Sequence, residues 1–407
     1  MFRSFATSTH ARCWMFGTED DIVAKRRATH EAAVATLEKS AADAPAGEAV
    51  PPPLQQQDGE LLVAYYELQV QEICMDENAR DPKRFTQRVQ YTAQTFLKRF
   101  YLHVSPMEED PKGVMLAALY LAGKVEEERI QVPDLVPKYA KKLLPADLLA
   151  LELRLMEVLR FQLVVRSPFR SLYGMLQDLH SGSRSAAEGG AAPPDKAALD
   201  RLHQRAKELI NDTMRTDAPL LHPPQHLALA ALLGAAAPDG GGSSGDDRVR
   251  AWVEQRFGES DSSGASAAND TSVIDQAKRV QATRCRHDPK ADVARLKAIN
   301  KQLPKVLTHV KRVQRAREEA RAAAEQQKRD AYERAQAAER AADTAKLMVK
   351  VEELRAEAHA SAAAGGEGGL STTSDANAAE PFVVRKRRRT DESEAARGGP
   401  AAVKSEP

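Results

Sequence analysis

Only three cysteines occur in 407 residues, Cys13, Cys74 and Cys285, and each stands alone. Isolated thiols in odd number give no disulfide framework, and no CxxC or Cys/His spacing offers a zinc site. The thiols are therefore expected to be reduced, in a cytosolic or nuclear setting. Aromatic residues make up 5% of the chain, few for a β-sandwich and compatible with helices packed through Leu and Ala. The net charge is +1, so a nucleic-acid or membrane partner would need a local patch, and neither is expected. No apolar run reaches bilayer-spanning length. Absent too are the GxxxxGK[ST] loop, a glycine-rich strand-to-helix turn, HExxH, an EF-hand loop and the kinase signatures HRD and DFG. No cofactor, metal or catalytic constellation is expected, and Glu126-Glu127-Glu128 reads as a solvated helix end. The opening MFRSFATSTHARCW has the basic and hydroxyl character of a transit peptide, but a basic cluster near the other end points elsewhere.

What is present is a helix with no polar face. From Val114 to Val125 the sequence is apolar on nearly every side, and Pro111 opens it at a position where a missing N–H costs nothing. Such a helix must be enclosed by others. It ends in a charged run, Lys124 to Arg129. The pattern recurs: Pro111 and Pro224 are each followed, after four residues, by Leu-Ala-Ala-Leu. Two copies spaced by about one small domain predict a duplicated helical module.

The remaining periodicity fills in both modules. Thr18 caps a helix to about Leu37, with Asp21 in the capping-box position. A Pro/Ala linker follows, then helices near Glu60–Met75, Tyr91, Pro111, Val132–Ala140 and Pro145–Arg160. Ser167 and Pro168 open the second set as N-cap and first helical residue. Further helices are expected near Lys196–Met214, Gln225–Ala237, Asp247–Phe257 and Val273–Arg284, and Ser181–Pro194 reads as a loop. The fold expected is all-α: two tandem five-helix repeats, residues 51–165 and 166–290, preceded by an arm with a helix, residues 1–50. A long charged helix, residues 291–360, follows. Pro304 is expected to interrupt it, and Leu303, Val306, Val310 and Val313 give it a short heptad-like, coiled-coil seam. Residues 361–407 read as a disordered tail.

Two five-helix repeats around a buried helix that closes on Lys124-Val125-Glu126-Glu127 resemble the cyclin family. Phe96-Leu97-Lys98-Arg99-Phe100-Tyr101-Leu102 is similar to the transcriptional cyclins. Trp14-Met15-Phe16 and Ala64-Tyr65-Tyr66-Glu67 resemble the H type, and the segment Asn211 to Asp217 is shared in character by the H and C types. The resemblance spans about Cys13 to Lys311. It implies a non-catalytic subunit that binds and activates a cyclin-dependent kinase in the nucleus. For the H type this is the CDK-activating kinase, active in cell-cycle control and, within TFIIH, on the RNA polymerase II C-terminal domain, with a third assembly subunit. Carried over by position, the family's kinase contacts fall on Lys124, Glu152, Met156, Phe161 and Leu163, with the Lys124 and Glu152 heads both expected to be exposed. The Met-Arg-x-x-x-Leu docking patch of cell-cycle cyclins is not recognisable between Leu61 and Ile73. Two alternatives stand: a C-type subunit of the Mediator kinase, and a DNA-binding factor of the TFIIB type, for whose zinc ribbon the cysteines are missing. Arg385-Lys386-Arg387-Arg388-Arg389 reads as a nuclear-import signal, and Lys404 sits in a hydrophobic-Lys-x-Glu SUMO-acceptor pattern.

Overall fold

A computed structural model describes residues 5–42, 50–81, 85–185, 196–237, 245–257 and 273–364. The import cluster at residues 385–389, Lys404 and the rest of the tail lie outside the described residues. Every regular element among the described residues is helical. The chain divides into a compact unit, Met1–Ala324, and a second unit, Glu325–Pro407.

The compact unit opens with an arm. A 3-10 turn (Phe5–Thr7) leads into α1 (Thr9–Trp14), whose first turn is capped by Ser8. Neither element was among those expected. α2 (Glu19–Ala42) starts at the expected capping box: the Thr18 N–H donates to Asp21 Oδ2 at 2.9 Å, and the Asp21 N–H returns to Thr18 Oγ1 at 3.2 Å. Aspartate thus serves where glutamate is usual.

The first repeat is five helices, α3 (Gln56–Arg80), α4 (Gln87–Tyr101), α5 (Pro111–Val125), α6 (Val132–Tyr139) and α7 (Pro145–Val158). α3 outruns the expected end at Met75 and takes Asp76 to Arg80 as a last turn. α5 is the hub, packed on α3, α4, α6 and α7. Pro111 sits in its first turn, Asp110 Oδ1 accepts the Lys112 N–H at 3.3 Å, and residues 113–119 are all buried. Leu151 of α7 fills the space beside Gly113: a Cβ there would lie 2.7 Å from Leu151 Cδ1, so a larger residue would push that side chain aside.

The second repeat repeats the plan with α8 (Pro168–Ser185), α9 (Lys196–Thr213), a four-residue turn α10 (Ala218–Leu221), α11 (Pro224–Ala235), α12 (Gly245–Phe257) and α13 (Val273–Ala282). Ser167 Oγ accepts the Phe169 N–H at 3.3 Å, which is the cap the Ser-Pro pair predicted. Ser181 to Ser185, expected in a loop, instead extend α8, helped by the Ser181 hydroxyl bonding back to the Gln177 carbonyl at 2.6 Å. α11 is the second hub, packed on α8, α9 and α13. The two hubs lie in separate apolar clusters.

α14 (Val293–Ala364) runs on without the expected break at Pro304. Proline deprives the Asn300 carbonyl of its helical partner, but Asn300 and Pro304 are both exposed, so water can take the bond. The opposite face is held down: Leu296, Ile299, Leu303, Val306, Leu307 and Val310 are buried in the first repeat's cluster. Three of the four positions of the heptad-like seam, Leu303, Val306 and Val310, are therefore part of this chain's own core, while Val313 is only half-buried. In the second unit, residues 325–364 continue the helix, and its large apolar residues Tyr332, Leu347, Met348, Val349, Val351 and Leu354 are exposed.

Candidate functional site

The last turn of α5 and the middle of α7 meet at an ion pair. Lys124 Nζ donates to both carboxylate oxygens of Glu152, at 2.7 and 2.9 Å, and sits 4.2 Å from the centroid of the Tyr120 ring. The two heads are not equally accessible. The Lys124 side chain is 48% exposed, whereas that of Glu152 is 7% exposed. The expectation that both project into solvent is thus corrected: the carboxylate turns inward under the lysine and spends both oxygens on it. Burial disfavours the Lys124 ammonium, but the bonds to Glu152 outweigh this and raise its pKa. Tyr120 also stabilises the ammonium, which is held on one side by Glu152 and Tyr120 and is open to solvent on the other.

α7 carries an apolar stripe beside this pair. Leu149, Glu152, Leu153 and Met156 fall at i, i+3, i+4 and i+7 and share one face. Leu149 and Leu153 are exposed, and Met156 is half-buried against the first cluster. The helix then ends abruptly. Arg160 and Phe161 both adopt left-handed backbone, with φ of 52° and 55°. The Phe161 N–H reaches back to the Met156 carbonyl at 2.9 Å, and the Arg160 N–H to Glu157 at 2.9 Å. Consecutive non-glycine residues in this region cost on the order of 1–3 kcal/mol each. The result is a phenylalanine ring 63% exposed. Leu163 turns partly inward and packs on the first cluster.

The structure thus brings Lys124, Glu152, Met156 and Phe161 onto or beside the α5–α7 end, with Leu163 behind them. Leu149 and Leu153 lie on this face as well, although they were not among the expected contacts. Their signal was available: Leu148-Leu149-Ala150-Leu151-Glu152-Leu153-Arg154-Leu155 holds more leucine than one buried face needs. Of eight exposed large apolar residues described in the compact unit, five lie between Leu144 and Val164. A concentration of this kind marks an interaction surface.

The neighbouring acidic run is not the freely solvated end that was expected. Glu126 Oε1 accepts the Thr92 hydroxyl at 2.7 Å, and Arg88 lies 3.9 Å from Glu126 and 3.7 Å from Glu128. Glu127, at φ 61°, caps the helix while the Glu128 N–H closes on the Gly123 carbonyl at 2.8 Å. These bonds fix the end of α5 and hence the position of Lys124. Among the described residues no cluster of His, Cys, Asp or Glu is arranged to hold a metal, and no described helix is long and apolar enough to cross a membrane.

Elsewhere in the compact unit, buried charges brace the first repeat and tie the arm to the second. Lys98 and Glu67 pair inside the first repeat at 2.5 Å. Arg26 of α2 grips Asp217 of the second repeat through two bonds, 2.8 and 2.6 Å, with Arg286 3.0 Å from the same carboxylate. Burial would raise the Asp217 pKa, but the Arg26 bonds prevail and hold it at about 2. These long-range pairings have no local sequence signal.

Comparison with known proteins bears on the same regions. The family described as Cyclin, N-terminal domain matches residues 79–164, and the one described as Cyclin C-terminal domain matches residues 167–318. Cyclin-H1-1 of Arabidopsis thaliana is 30% identical over 250 residues, which cover 56% of this chain and 69% of that protein. Cyclin-C1-1 of the same plant is 36% identical over 156 residues, covering 36% of this chain and 54% of that protein. A chain in a structure of the CAK complex from Chaetomium thermophilum bound to ATP-γ-S superposes with a TM-score of 0.59 at 23% identity, covering 78% of this chain and 94% of that one.

Proposed function

The chain belongs to the cyclin family, and we propose that it is the regulatory subunit of a cyclin-dependent kinase, of the H type that serves the CDK-activating kinase. Similarity to the H-type relative runs over 250 residues, against 156 for the C-type relative. In this reading the protein has no chemistry of its own. It acts in the nucleus on cell-cycle control and on TFIIH-dependent transcription, and an assembly subunit joins the pair. Its import signal is Arg385 to Arg389.

The observation that carries the proposal is the exposure of Leu149 and Leu153 on the α7 face that bears Glu152, and of Phe161 just past its end, together with a half-exposed Lys124 ammonium. A kinase is active when the glutamate of its αC helix pairs with the β3 lysine. A subunit that binds only that arrangement shifts the equilibrium by its differential affinity. The apolar stripe of α7 supplies the contact area. Phe161, held out by its strained backbone, inserts as an anchor, and the exposed side of the Lys124 ammonium meets a carbonyl of the kinase. Glu152 acts beneath it, as the group that aims the lysine.

The test is co-purification followed by activity. Phe161→Ala and Leu153→Arg change exposed side chains, where stability usually moves by no more than about 0.5 kcal/mol. Both variants are expected to melt like the parent chain and to lose kinase binding and activation. Retained activation by both would remove this face from the interface. The identity of the kinase recovered separates the H type from the C type, and recovery of promoter DNA in place of a kinase would favour the TFIIB-type alternative.

A further inference from the structure

The other end of α5 carries a second charged feature that the kinase-binding reading does not use. Lys112, Lys138, Lys141 and Lys142 line one cleft of about 560 Å³ together with Asp110 and Gly113. Lys112 stands in the first turn of α5, roughly 18 Å along the helix axis from Lys124 at its other end. The cleft is held in place by its backbone. The Leu143 N–H donates to the Ala140 carbonyl at 2.9 Å, so Lys141 and Lys142 are the two central residues of one tight turn. That turn is anchored before it by the Ala140 N–H on Val136 at 3.0 Å and after it by Leu143, which packs on the first cluster. Lys138 is engaged by Glu77 and so belongs to the wall. Lys141 and Lys142 are exposed and make no ion pair among the described residues.

The charge balance selects the ligand. Four lysines against Asp110 and Glu77 leave a surplus of two positive charges in a chain whose net charge is +1. A phosphorylated serine or threonine carries about −1.5 to −2 at neutral pH and three acceptor oxygens, which matches that surplus. A polynucleotide fits less well. It needs a stripe of cations with aromatic rings for stacking, whereas this cleft is short, has a carboxylate at one edge, and its only ring, Tyr139, donates its hydroxyl to Glu77. We propose that the cleft between the start of α5 and the Lys141–Lys142 turn docks a phosphorylated serine or threonine in a segment of a partner protein.

The proposal is tested on the full chain without any kinase, so its failure leaves the regulatory reading untouched. The probe is a fluorescent degenerate seven-residue peptide pool with a fixed central phosphoserine or phosphothreonine, compared with its dephosphorylated counterpart and with a 20-nucleotide single strand. The phosphorylated pool is expected to bind at least tenfold more tightly than either control. Lys141→Glu with Lys142→Glu should abolish this preference at an unchanged melting temperature, while Lys301→Glu with Lys305→Glu, on exposed α14, should leave it intact. Equal binding of phosphorylated and dephosphorylated pools, equal loss in both double variants, or stronger binding of the single strand would each overturn it.

Discussion

α5 and α11 begin alike and end differently. Each has a proline in its first turn and a Leu-Ala-Ala-Leu core, and each is enclosed by the other helices of its repeat. α5 then ends on Lys124, which crosses to Glu152 of α7. α11 ends on Ala235, and its nearest polar tie is inward, from Gln281 Nε2 to the Ala230 carbonyl at 2.7 Å. A helix buried on every side solves a packing problem and presents nothing to a partner. What distinguishes the two copies is the cargo at the terminus. The first repeat delivers a charge to a surface already rich in exposed leucine, and the second uses the same helix as support alone.

The largest effects should come from the shared part of the design. Leu116 and Leu229 are equivalent in the two copies and are 0% and 1% exposed. Truncating either to alanine is expected to cost about 2–5 kcal/mol, from lost burial and the cavity left behind. Because the two residues lie in separate clusters, urea unfolding should show each variant displacing the transition of its own repeat. Equal displacement of a single transition by both would mean that the repeats unfold as one body.

The unshared part should separate binding from folding. Lys124→Met leaves a buried carboxylate without its partner, expected to cost about 1–3 kcal/mol of stability and about 2–5 kcal/mol of kinase affinity. Exchanging both charges, Lys124→Glu with Glu152→Lys, rebuilds a pair within the chain, so melting should recover while kinase binding stays lost. In the second repeat, Gln281→Ala should cost about 1 kcal/mol of stability with unchanged kinase binding. A comparable loss of binding in Gln281→Ala would break the distinction between the two helices.

How much of this could be read beforehand follows from the range of each interaction. The helix starts at Thr18, Pro111, Ser167 and Pro224 were legible because a cap or a proline acts within one turn. The burial of α5 and α11 was legible because the absence of a polar face leaves one outcome. Pro304 misled because a proline's cost depends on whether the orphaned carbonyl faces water, which tertiary packing decides. The pairing of Lys124 with Glu152 joins residues 28 apart. Family resemblance placed them on one face but not which head would be covered. Arg26 with Asp217, 191 residues apart, left no trace in local pattern at all.

That pair makes the joint between arm and second repeat testable. Arg26→Met removes two charge-assisted bonds from Asp217 but leaves Arg286 at 3.0 Å, so a loss of about 1–3 kcal/mol is expected. The sign with pH is fixed by the depressed carboxylate. Its contribution is present above the unfolded pKa near 4 and is lost as pH falls toward about 2. Acid unfolding of Arg26→Met should therefore show a shallower dependence than the parent between those limits. An unchanged slope would mean that Arg286 alone sets the Asp217 charge.

The smallest effect sits where the arm meets the start of the second repeat. His10 is 1% exposed, its Nδ1 accepts the Arg166 N–H at 3.1 Å, and the Phe5 ring stands edge-on to it. Burial, with Arg99 and Arg166 nearby, lowers its pKa to about 3. Between about 6.5 and 3 the unfolded chain binds a proton there that the folded chain does not. Stability must fall with pH across that window, by at most about 1.4 kcal/mol per pH unit for this one group. Above pH 6.5 the group contributes no slope. His30, His222 and His226, whose pKa values are also lowered mainly by burial, add slopes of the same sign, so the share of His10 is isolated by difference. His10→Asn keeps an acceptor near the Nδ1 position and removes the titration. Urea unfolding of both proteins at pH 7.0 and 5.5 should show the variant losing about 1 kcal/mol less than the parent over that interval. Equal losses would mean that His10 takes up its proton in the folded chain, and that the bond from Arg166 is not what seats the arm against the second repeat.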